Sequence, residues 1–443
     1  MSRISSRKII KNLLNPSDSL SHRVFSGGFW TLGLRGAQST FNIVRLIILA
    51  RILAPSDFGL MGIALLTMAI LDAFSQTGFQ SALIQKKGDI RPYLNSAWTV
   101  LIIRATILFV ILFFSAPLVA SFFESPQAES MIRMIGLSML FVGFSNIGVF
   151  LFQKELQFKK QTMYQLAGTL ADFTVAIASV LILQNVWALI FGHIAGNVAR
   201  FVMSYVLHPF RPRLTSDLRK TKELWGFGRW VAGSSMISFV IVQGVDIFVG
   251  KVLGVISLGV YQLANQISNL PSSEITNVIS QVTFPAYSKL QSSIMTLKKA
   301  YMRTLEVTSL FVFPISGLIF VSAHDFTILI LGEKWIGVID PMRILALWGA
   351  ISALAGLNGS ILMAANRPDV ITKLSLIKLA ILLIMIYPAT MAWGLEGTAM
   401  VVLISTLLIT PNTYYIVAKR ILGYKISTLL QCLALPSIGT VVM

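Results

Sequence analysis

Cationic side chains interrupt the long apolar stretches of this sequence at five positions. They are Arg35, Arg45, Arg104, Arg200 and Lys378. An arginine or lysine at the centre of a bilayer costs roughly 2.5–3.5 kcal/mol on insertion scales, so such a residue usually faces a protein interior or a wet cavity. Several such cations inside one protein are suited to binding an anion. We therefore take the four arginines as candidates for a cationic binding site.

Polar residues share helical faces in several of these stretches, and two of the faces suit a substrate. One face, in the first stretch, is formed by Arg35, Gln38, Asn42 and Arg45. At 100° per residue, these four side chains fall within an arc of about 80°. The other face, in the eighth stretch, is formed by Gln262, Asn265, Gln266 and Asn269, with Pro271 as an expected kink.

The first face suits a phosphate, because the planar fork of arginine pairs bidentately with phosphate oxygens. The second face suits hydroxyl groups, which amide side chains can both donate to and accept from. The alternative is that these residues hydrogen-bond neighbouring helices together, each contributing under about 2 kcal/mol.

The stretches themselves are long enough to cross a membrane. The chain is 55% hydrophobic and only 12% charged, against about 25% charged residues in soluble domains. Apolar runs of 18 or more residues recur throughout, and each can cross about 30 Å of hydrocarbon. The predicted fold is therefore an all-α polytopic membrane protein. Its predicted spans are 25–53, 57–84, 95–120, 130–152, 162–183, 186–208, 227–250, 257–284, 304–322, 342–364, 371–391 and 397–417, with a thirteenth beginning near residue 426.

Basic residues alternate between the two ends of these spans. If the N-terminus is cytoplasmic, 25 of the 36 Lys and Arg residues lie in cytoplasmic segments. Only three, Arg51, Lys251 and Lys334, lie in the opposite loops. This bias is the positive-inside rule, and it predicts a cytoplasmic N-terminus and an even number of spans before residue 418. It also explains the net charge of +18 without a nucleic-acid partner.

The chain matches itself at an offset of 200 residues. Gly59 aligns with Gly259, and the run 50–53 aligns with the run 250–253. The predicted organisation is a basic N-terminus (1–23), a lobe of six spans (24–208), a basic linker (209–224), a second lobe of six spans (225–418) and the partial span 426–443. Both lobes start from the cytoplasm, so the repeat is parallel, and transporters built from repeats bind substrate between them near the midplane.

Four acids also fall inside the spans, namely Asp72, Asp172, Asp246 and Glu274. Each is a candidate for an ion pair or for carrying a coupling proton or Na⁺. The repeat aligns Arg45 with Val245, so Arg45 and Asp246 are expected at similar depth on opposing helices. They would pair in the empty protein and separate when substrate competes; a permanent structural pair is the alternative.

Several functions lack support in the residues. One cysteine and four scattered histidines predict neither a disulfide framework nor a metal site. The sequence contains no P-loop motif, and no loop is long enough for a catalytic domain. We expect no cofactor and no enzymatic activity. The short run 326–331 is expected in the outer interface, with Trp335 as an aromatic anchor.

Motifs scattered over residues 24–420 resemble a known family. They are Leu49–Leu60, Ala82–Lys86, Gln153–Phe158, Phe284–Gln291, Gly332–Trp335 and Gly359–Ala364. In order, these segments resemble the polysaccharide-transporter branch of the multidrug/oligosaccharidyl-lipid/polysaccharide exporter superfamily, close to O-antigen and colanic-acid-type flippases.

The resemblance implies two six-helix lobes around a cleft lined by the first, second, seventh and eighth helices. It also implies alternating access for an undecaprenyl-diphosphate-linked oligosaccharide in the bacterial inner membrane, with membrane lipids, a polysaccharide polymerase and glycosyltransferases as partners. Family cavities are typically cationic, which fits Arg35 and Arg45. Members usually have 14 spans, so the chain is expected to be truncated or an atypical form.

Two other functions remain open. One is a multidrug exporter of the same superfamily, coupled to Na⁺ or H⁺. Cationic drugs would favour carboxylates, whereas eight Lys and Arg lie in or beside the spans against four deep acids. The other is a membrane-embedded glycosyltransferase or ligase, which would need catalytic carboxylates in a sizeable outer loop. The longest outer segment, about 323–341, offers only Asp325, Glu333 and Asp340.

Overall fold

The computed structural model describes most of the chain, and the described part is helical. The described residues are 20–76, 78, 79, 83, 90–155, 157–215, 217, 239–276, 279, 283, 287, 290, 293–365 and 367–423. The side chains of residues 20–32, 34, 35, 153, 368 and 420 also lie outside the described part.

Six long helices follow one another in the first half of the chain. They are α1 (Leu20–Ile52), α2 (Pro55–Phe74), α3 (Arg91–Phe122), α4 (Ala128–Phe144), α5 (Phe158–Leu183) and α6 (Trp187–Leu207). A short helix, Val149–Lys154, lies between α4 and α5. Large apolar side chains on the outer faces are well exposed, such as Phe114 and Leu118 of α3, as expected for helices in contact with lipid.

Six long helices are described in the second half as well. They are α7 (239–252), α8 (Gly254–Ser268), α9 (Ile294–Asp325), α10 (Ile339–Ala364) and the pair α11 and α12 within Pro368–Tyr415. The backbone leaves helical geometry at Trp393 and Gly394, which separates α11 from α12 between the two predicted spans. Gly394 has a φ of +57°, in the left-handed region that glycine adopts without steric cost.

Seven segments of the described chain are long and apolar enough to cross a membrane. They are Pro55–Phe74, Arg91–Phe122, Phe158–Leu183, Trp187–Leu207, Ile294–Leu331, Glu333–Ala364 and Asp369–Lys419. The protein is thus an all-α, multi-pass membrane protein, as predicted. The total of twelve spans and the cytoplasmic N-terminus stay predictions. The predicted thirteenth span lies outside the described residues.

The helices group into two compact units by their contacts. Unit 1 contains the residues up to Leu53 and from Ile63 to Val240, and unit 2 contains Ala54–Gly62 and the residues from Ile241 onward. The first two turns of α2 therefore pack with the second half of the chain. The lobe boundaries inferred from the sequence stay predictions.

A reciprocal contact inside unit 2 reflects the 200-residue repeat. A Cβ atom added to Gly59 would lie 1.9 Å from the carbonyl oxygen of Val255, and one added to Gly259 would lie 2.1 Å from that of Pro55. Exchanging each residue for its counterpart 200 positions away leaves this pair of contacts unchanged. The crossing of α2 and α8 is therefore locally two-fold symmetric, and only glycine lets two helix backbones approach so closely.

The segment after α9 differs from its prediction. Phe326–Leu331 is a π-helical turn that continues from α9, and Glu333–Val338 is a 3₁₀ helix. Trp335 is fully buried, and its ring meets Phe58 edge-on with centroids 5.1 Å apart. The prediction of an interfacial anchor was therefore wrong, because this tryptophan fills the interior of unit 2.

Candidate functional site

A first group of charged side chains forms in unit 1, where α1 packs against α5. Nη2 of Arg45 on α1 lies 3.0 Å from Oδ1 of Asp172 on α5. Further back on α1, Nε2 of Gln38 donates a 3.3 Å hydrogen bond to the Thr169 hydroxyl. Residues seven apart on α1 and three apart on α5 face the same side of their helices, so the two contacts follow from helical spacing.

Helix α6 adds a second arginine to this group. Arg200 lies within electrostatic reach of Asp172 and His193, and its Nη1 donates to Oδ1 of Asn197 across 3.4 Å. Asn197 in turn donates to the carbonyl oxygen of His193. We call Arg45, Asp172, His193, Asn197 and Arg200 the cationic recess. Two guanidinium groups face one carboxylate there, so the recess carries net positive charge.

Three glycines make room for the recess between α5 and α6. A Cβ atom on Gly168 would lie 2.4 Å from Nε of Arg200, and one on Gly192 would lie 2.8 Å from Oδ1 of Asp172. One on Gly196 would lie 2.9 Å from the carbonyl oxygen of Gly168. The glycines thus bring the two helices together and leave space for the charged side chains. The sequence analysis missed them, although small residues four apart, as in Gly192 and Gly196, are a known signal of close helix packing.

The remaining members of the predicted face on α1 are placed differently. The side chain of Arg35 lies outside the described residues, so its predicted role stays a prediction. Asn42 is exposed.

Arg104 on α3 binds the end of α2. Its Nε donates to the carbonyl oxygen of Ser75 at 2.8 Å, and its Nη2 donates to the carbonyl oxygen of Asp72 at 3.1 Å. The same Nη2 forms an ion pair with the Asp72 carboxylate. Cations are favoured at helix C-termini, where carbonyl groups lack partners in the helix. These contacts engage two of the three guanidinium nitrogens in holding α2, and the predicted role of Arg104 in substrate binding stays a prediction.

A cavity of about 570 Å³ lies inside unit 1 between α2, α3, α4, α5 and α6. Its polar wall includes Asp72, Arg104 and Tyr164, and it reaches α6 at His193 and Asn197. The last two residues belong to the cationic recess. The recess therefore adjoins a partly polar cavity within the same unit.

Unit 2 holds a different buried acid. Asp246 on α7 is only 7% exposed and accepts a 2.9 Å hydrogen bond from Nε2 of Gln262 on α8. A Cβ atom on Gly62 would lie 2.3 Å from Oε1 of this glutamine, so the first part of α2 closes over the amide. No cation pairs with Asp246 within the described residues. The predicted pairing of Arg45 with Asp246 stays a prediction, and each of the two has a partner inside its own unit.

The other polar residues predicted at α8 are not fully covered by neighbouring helices. Asn265 and Asn269 are half-buried, and Gln266 is exposed. The opposite side packs on α10, where Ser268 donates to the carbonyl oxygen of Met342 at 2.8 Å. After α8, Pro271–Thr276 forms a π-helical turn that contains the half-buried Glu274. The expected irregularity at Pro271 is present, and such turns are frequent at functional sites.

Metal chemistry finds no support in this arrangement. Among the described residues, no group of three or more His, Cys, Asp or Glu side chains is placed to hold a metal ion. The chemistry that the recess can supply is recognition of an anion by arginine.

Residues 48–340 match the sequence profile of a family described as polysaccharide biosynthesis protein. That range covers well over half of the chain. The chain belongs to this family. The matched range includes the crossing of α2 and α8, the cationic recess apart from Arg45, and the polar side of α8.

This family member is similar to the lipopolysaccharide biosynthesis protein WzxC of Escherichia coli (strain K12). The two are 25% identical over 421 residues, which cover 94% of this chain and 85% of the relative. Its fold is similar to that of the lipid II flippase MurJ in an inward closed conformation, with a TM-score of 0.76, 13% identity and coverage of 94% and 91% of the two chains. An inward-facing multidrug resistance MATE transporter gives a TM-score of 0.68 at 15% identity, with coverage of 90% and 99%. The fold class predicted from the sequence is confirmed.

Proposed function

We propose that this protein flips a polyprenyl-diphosphate-linked oligosaccharide across the bacterial inner membrane for polysaccharide synthesis. The observation that carries the proposal is the cationic recess, in which Arg45 and Arg200 face a single carboxylate, Asp172. A diphosphate is the part of such a lipid that a group of arginines recognises. Membership of a polysaccharide biosynthesis family supports the same substrate class.

The parts of the substrate would meet different parts of the protein. The diphosphate would bind Arg45. Arg35, ten residues earlier on α1, is a second candidate. The polyprenyl chain would remain in lipid, because an apolar chain is more favourable in hydrocarbon than in a polar site.

Export of a cationic drug is the main rival. A drug cation entering the recess would meet two arginines and one carboxylate, and the net repulsion disfavours it. Both functions share a fold, so the fold does not decide between them. Loss of drug resistance without loss of surface polysaccharide in a deletion strain would favour the rival.

Export of polymer in a deletion strain tests the proposal. Arg45→Ala should abolish surface polysaccharide while the protein remains inserted, and Arg45→Lys should restore part of it, because lysine keeps the charge and loses the fork. Arg133→Ala is the matched control, since Arg133 is another arginine of unit 1 that pairs with Glu129 on its own helix at 2.8 Å. Full export by Arg45→Ala would refute the proposed site.

The orientation in the membrane is part of the same proposal. With a cytoplasmic N-terminus, the turn between α3 and α4 faces outward and the segment after α6 faces the cytoplasm. Gln127 and Leu214 are exposed in these two places. In a Cys432→Ser background, an impermeant thiol reagent applied to sealed cells should label Gln127→Cys and spare Leu214→Cys. Labelling of Leu214→Cys alone would show that the protein has the opposite orientation.

A further inference from the structure

The chain that follows α6 crosses one end of unit 1 in a fixed, non-helical conformation. This segment, residues 208–215, is called the basic strap below. Nδ2 of the fully buried Asn146 donates a hydrogen bond to the carbonyl oxygen of Phe210 at 2.6 Å. Two further backbone amides of the strap donate to polar side chains of α3, across 2.9 and 3.0 Å. The strap is therefore held by other elements of the unit along most of its length.

Cationic side chains converge on the basic strap. Nη1 of Arg211 donates to two carbonyl oxygens of the strap, at 2.7 and 3.1 Å. The ring of His208 packs against Phe152 with centroids 5.5 Å apart, and Nζ of Lys160 lies 5.8 Å from the centre of the same Phe152 ring. Arg91 at the start of α3 also lies within electrostatic reach of His208. The strap thus gathers cations from three different parts of the chain.

The positive charge of this group is only partly compensated. Glu155 is the one acid within electrostatic reach of His208, against three cations. Lys160 and Arg211 are exposed, and neither forms a salt bridge with an acid among the described residues. Nε and Nη2 of Arg211 donate no hydrogen bond within the described part of the chain. The positive-inside rule requires basic residues at a membrane surface, but it does not require an arginine whose fork is held by the backbone and open to an anion.

An apolar surface begins beside these cations. The guanidinium carbon of Arg211 lies 5.9 Å from the centre of the Tyr205 ring on α6. Near Tyr205, Val202 and Val206 are 49% and 69% exposed, and residues four apart lie on the same face of a helix. Leu214 of the strap is 70% exposed. A fixed cation next to exposed apolar side chains matches the two parts of a phospholipid, its phosphate and its acyl chains.

We propose that this end of unit 1 is a binding site for a membrane phospholipid with a negatively charged headgroup. The headgroup phosphate lies between Arg211 and Lys160, since arginine binds phosphate oxygens through its fork and lysine acts as a point charge. An acyl chain runs along Val202 and Val206 on the exposed face of α6. Basic residues at a membrane surface attract anionic lipids in preference to neutral ones. The site uses no residue of the cationic recess, so the inference does not depend on which substrate the protein carries.

Lipid binding to the purified, delipidated full-length protein in detergent tests the proposal, with native mass spectrometry as the measurement. Dioleoyl phosphatidylglycerol is the anionic probe, and dioleoyl phosphatidylcholine has the same chains and a phosphate but no net charge. Arg211→Ala and Lys160→Ala should each weaken phosphatidylglycerol binding about fivefold, the effect of one basic residue near an anionic lipid. Binding of phosphatidylcholine should not change. Arg211→Lys should keep most of the wild-type affinity, because the charge remains.

Arg133→Ala is the matched control, because Arg133 is an arginine of unit 1 on α4 that pairs with Glu129 on its own helix at 2.8 Å. Its affinity for phosphatidylglycerol should equal that of the wild type. An equal loss in Arg133→Ala would show that the total charge attracts the lipid, and this result would overturn the proposed site. Wild-type affinity in both Arg211→Ala and Lys160→Ala would overturn it as well.

Two further measurements keep the test decisive. If Arg211→Ala does not fold, Lys160→Ala decides alone, since the Lys160 side chain donates no hydrogen bond within the described part of the chain. Farnesyl diphosphate is the third probe and represents a lipid-linked substrate. If it binds more tightly than phosphatidylglycerol and loses this binding in Arg211→Ala, the site belongs to the substrate and the phospholipid is rejected.

Discussion

In unit 1, Asp172 lies near two arginines, whereas in unit 2, Asp246 is buried and has only an amide as its partner among the described residues. Unit 1 also pairs Asp72 with Arg104. In unit 2, Lys378 on α11 is half-buried, and no described acidic residue pairs with it. Burying a charge is expensive unless it is paired. Asp172 of unit 1 therefore has a charged partner, whereas the more deeply buried Asp246 of unit 2 has a neutral one.

The repeat clarifies what this difference means. The backbone crossing at Gly59 and Gly259 obeys the 200-residue offset in both directions. The charged residues do not, since the counterpart of Arg45 is Val245. The repeat is thus visible in one helix crossing, whereas the charged residues of the recess do not follow it. Under the proposed function, anion binding would depend on unit 1.

Reversing the charge of Arg45 should have the largest effect. Arg45→Asp would place two carboxylates together in a partly buried recess, and we expect export to fall to background and stability to drop by about 2–4 kcal/mol. Thermal unfolding of the purified protein and surface polymer in cells measure the two effects. Arg303→Asp is the control, because Arg303 is highly exposed and pairs with Glu306 one turn away; it should cost under about 1 kcal/mol.

A double-mutant cycle then identifies the partner of Arg45. Asp172→Arg added to Arg45→Asp should recover much of the lost stability, which corresponds to a coupling energy of at least about 1 kcal/mol. The same cycle with Asp246 tests the pairing predicted from the repeat. Coupling to Asp246 with strict additivity at Asp172 would contradict the recess as described.

The two glycines at the crossing should respond alike. Gly59→Ala and Gly259→Ala each place a methyl group against a carbonyl oxygen of the opposing helix, and a backbone cannot move aside as a side chain can. We expect each variant to lose about 2–3 kcal/mol of stability, with the two losses similar because the contact is symmetric. Gly359→Ala is the control in unit 2, where nothing lies within 4 Å of the added atom. Losses that differ by more than about 1.4 kcal/mol would show that the crossing is not energetically two-fold.

Alanine at the glycines of the recess should cost less. Gly168→Ala crowds Arg200, a side chain that can shift, so we expect a loss of about 1–2 kcal/mol and a clear reduction of export. At Gly36 on α1, nothing lies within 4 Å of an added Cβ, so Gly36→Ala should be neutral or stabilising by up to about 1 kcal/mol through helix propensity. Equal effects at both glycines would mean that the space beside Arg200 is not required.

The sequence was sufficient to predict most of the described helices, because each predicted span is a long apolar run and breaks occur at residues such as Gly394, although α8 ends at Ser268, well before the predicted end of its span at 284. It also placed Arg45 and Asp172 among the candidate residues. It could not predict that they pair, because helical spacing fixes the face of each helix but not which neighbour that face meets. The pairing depends on the packing of α1 against α5. Trp335 was misjudged for a related reason, since an aromatic residue at a span end suits either a lipid interface or a buried contact such as that with Phe58.

The smallest effect on stability is expected from Asp246→Asn, and it distinguishes the two units most directly. Asparagine keeps the size of the side chain, and its oxygen can still accept the hydrogen bond from Gln262. Removing a buried charge that has no cationic partner among the described residues relieves a desolvation cost. We therefore expect a change in stability within about 1 kcal/mol, in either direction.

Export by the same variant gives the second half of the test. Normal export would mean that the carboxylate of Asp246 is dispensable, whereas lost export at unchanged stability would indicate that its charge serves ion coupling. A loss of more than about 2 kcal/mol would instead show that a cation depends on this carboxylate. In that case the two units would not differ in how they compensate charge, and the pairing of Arg45 with Asp246 would become the better account.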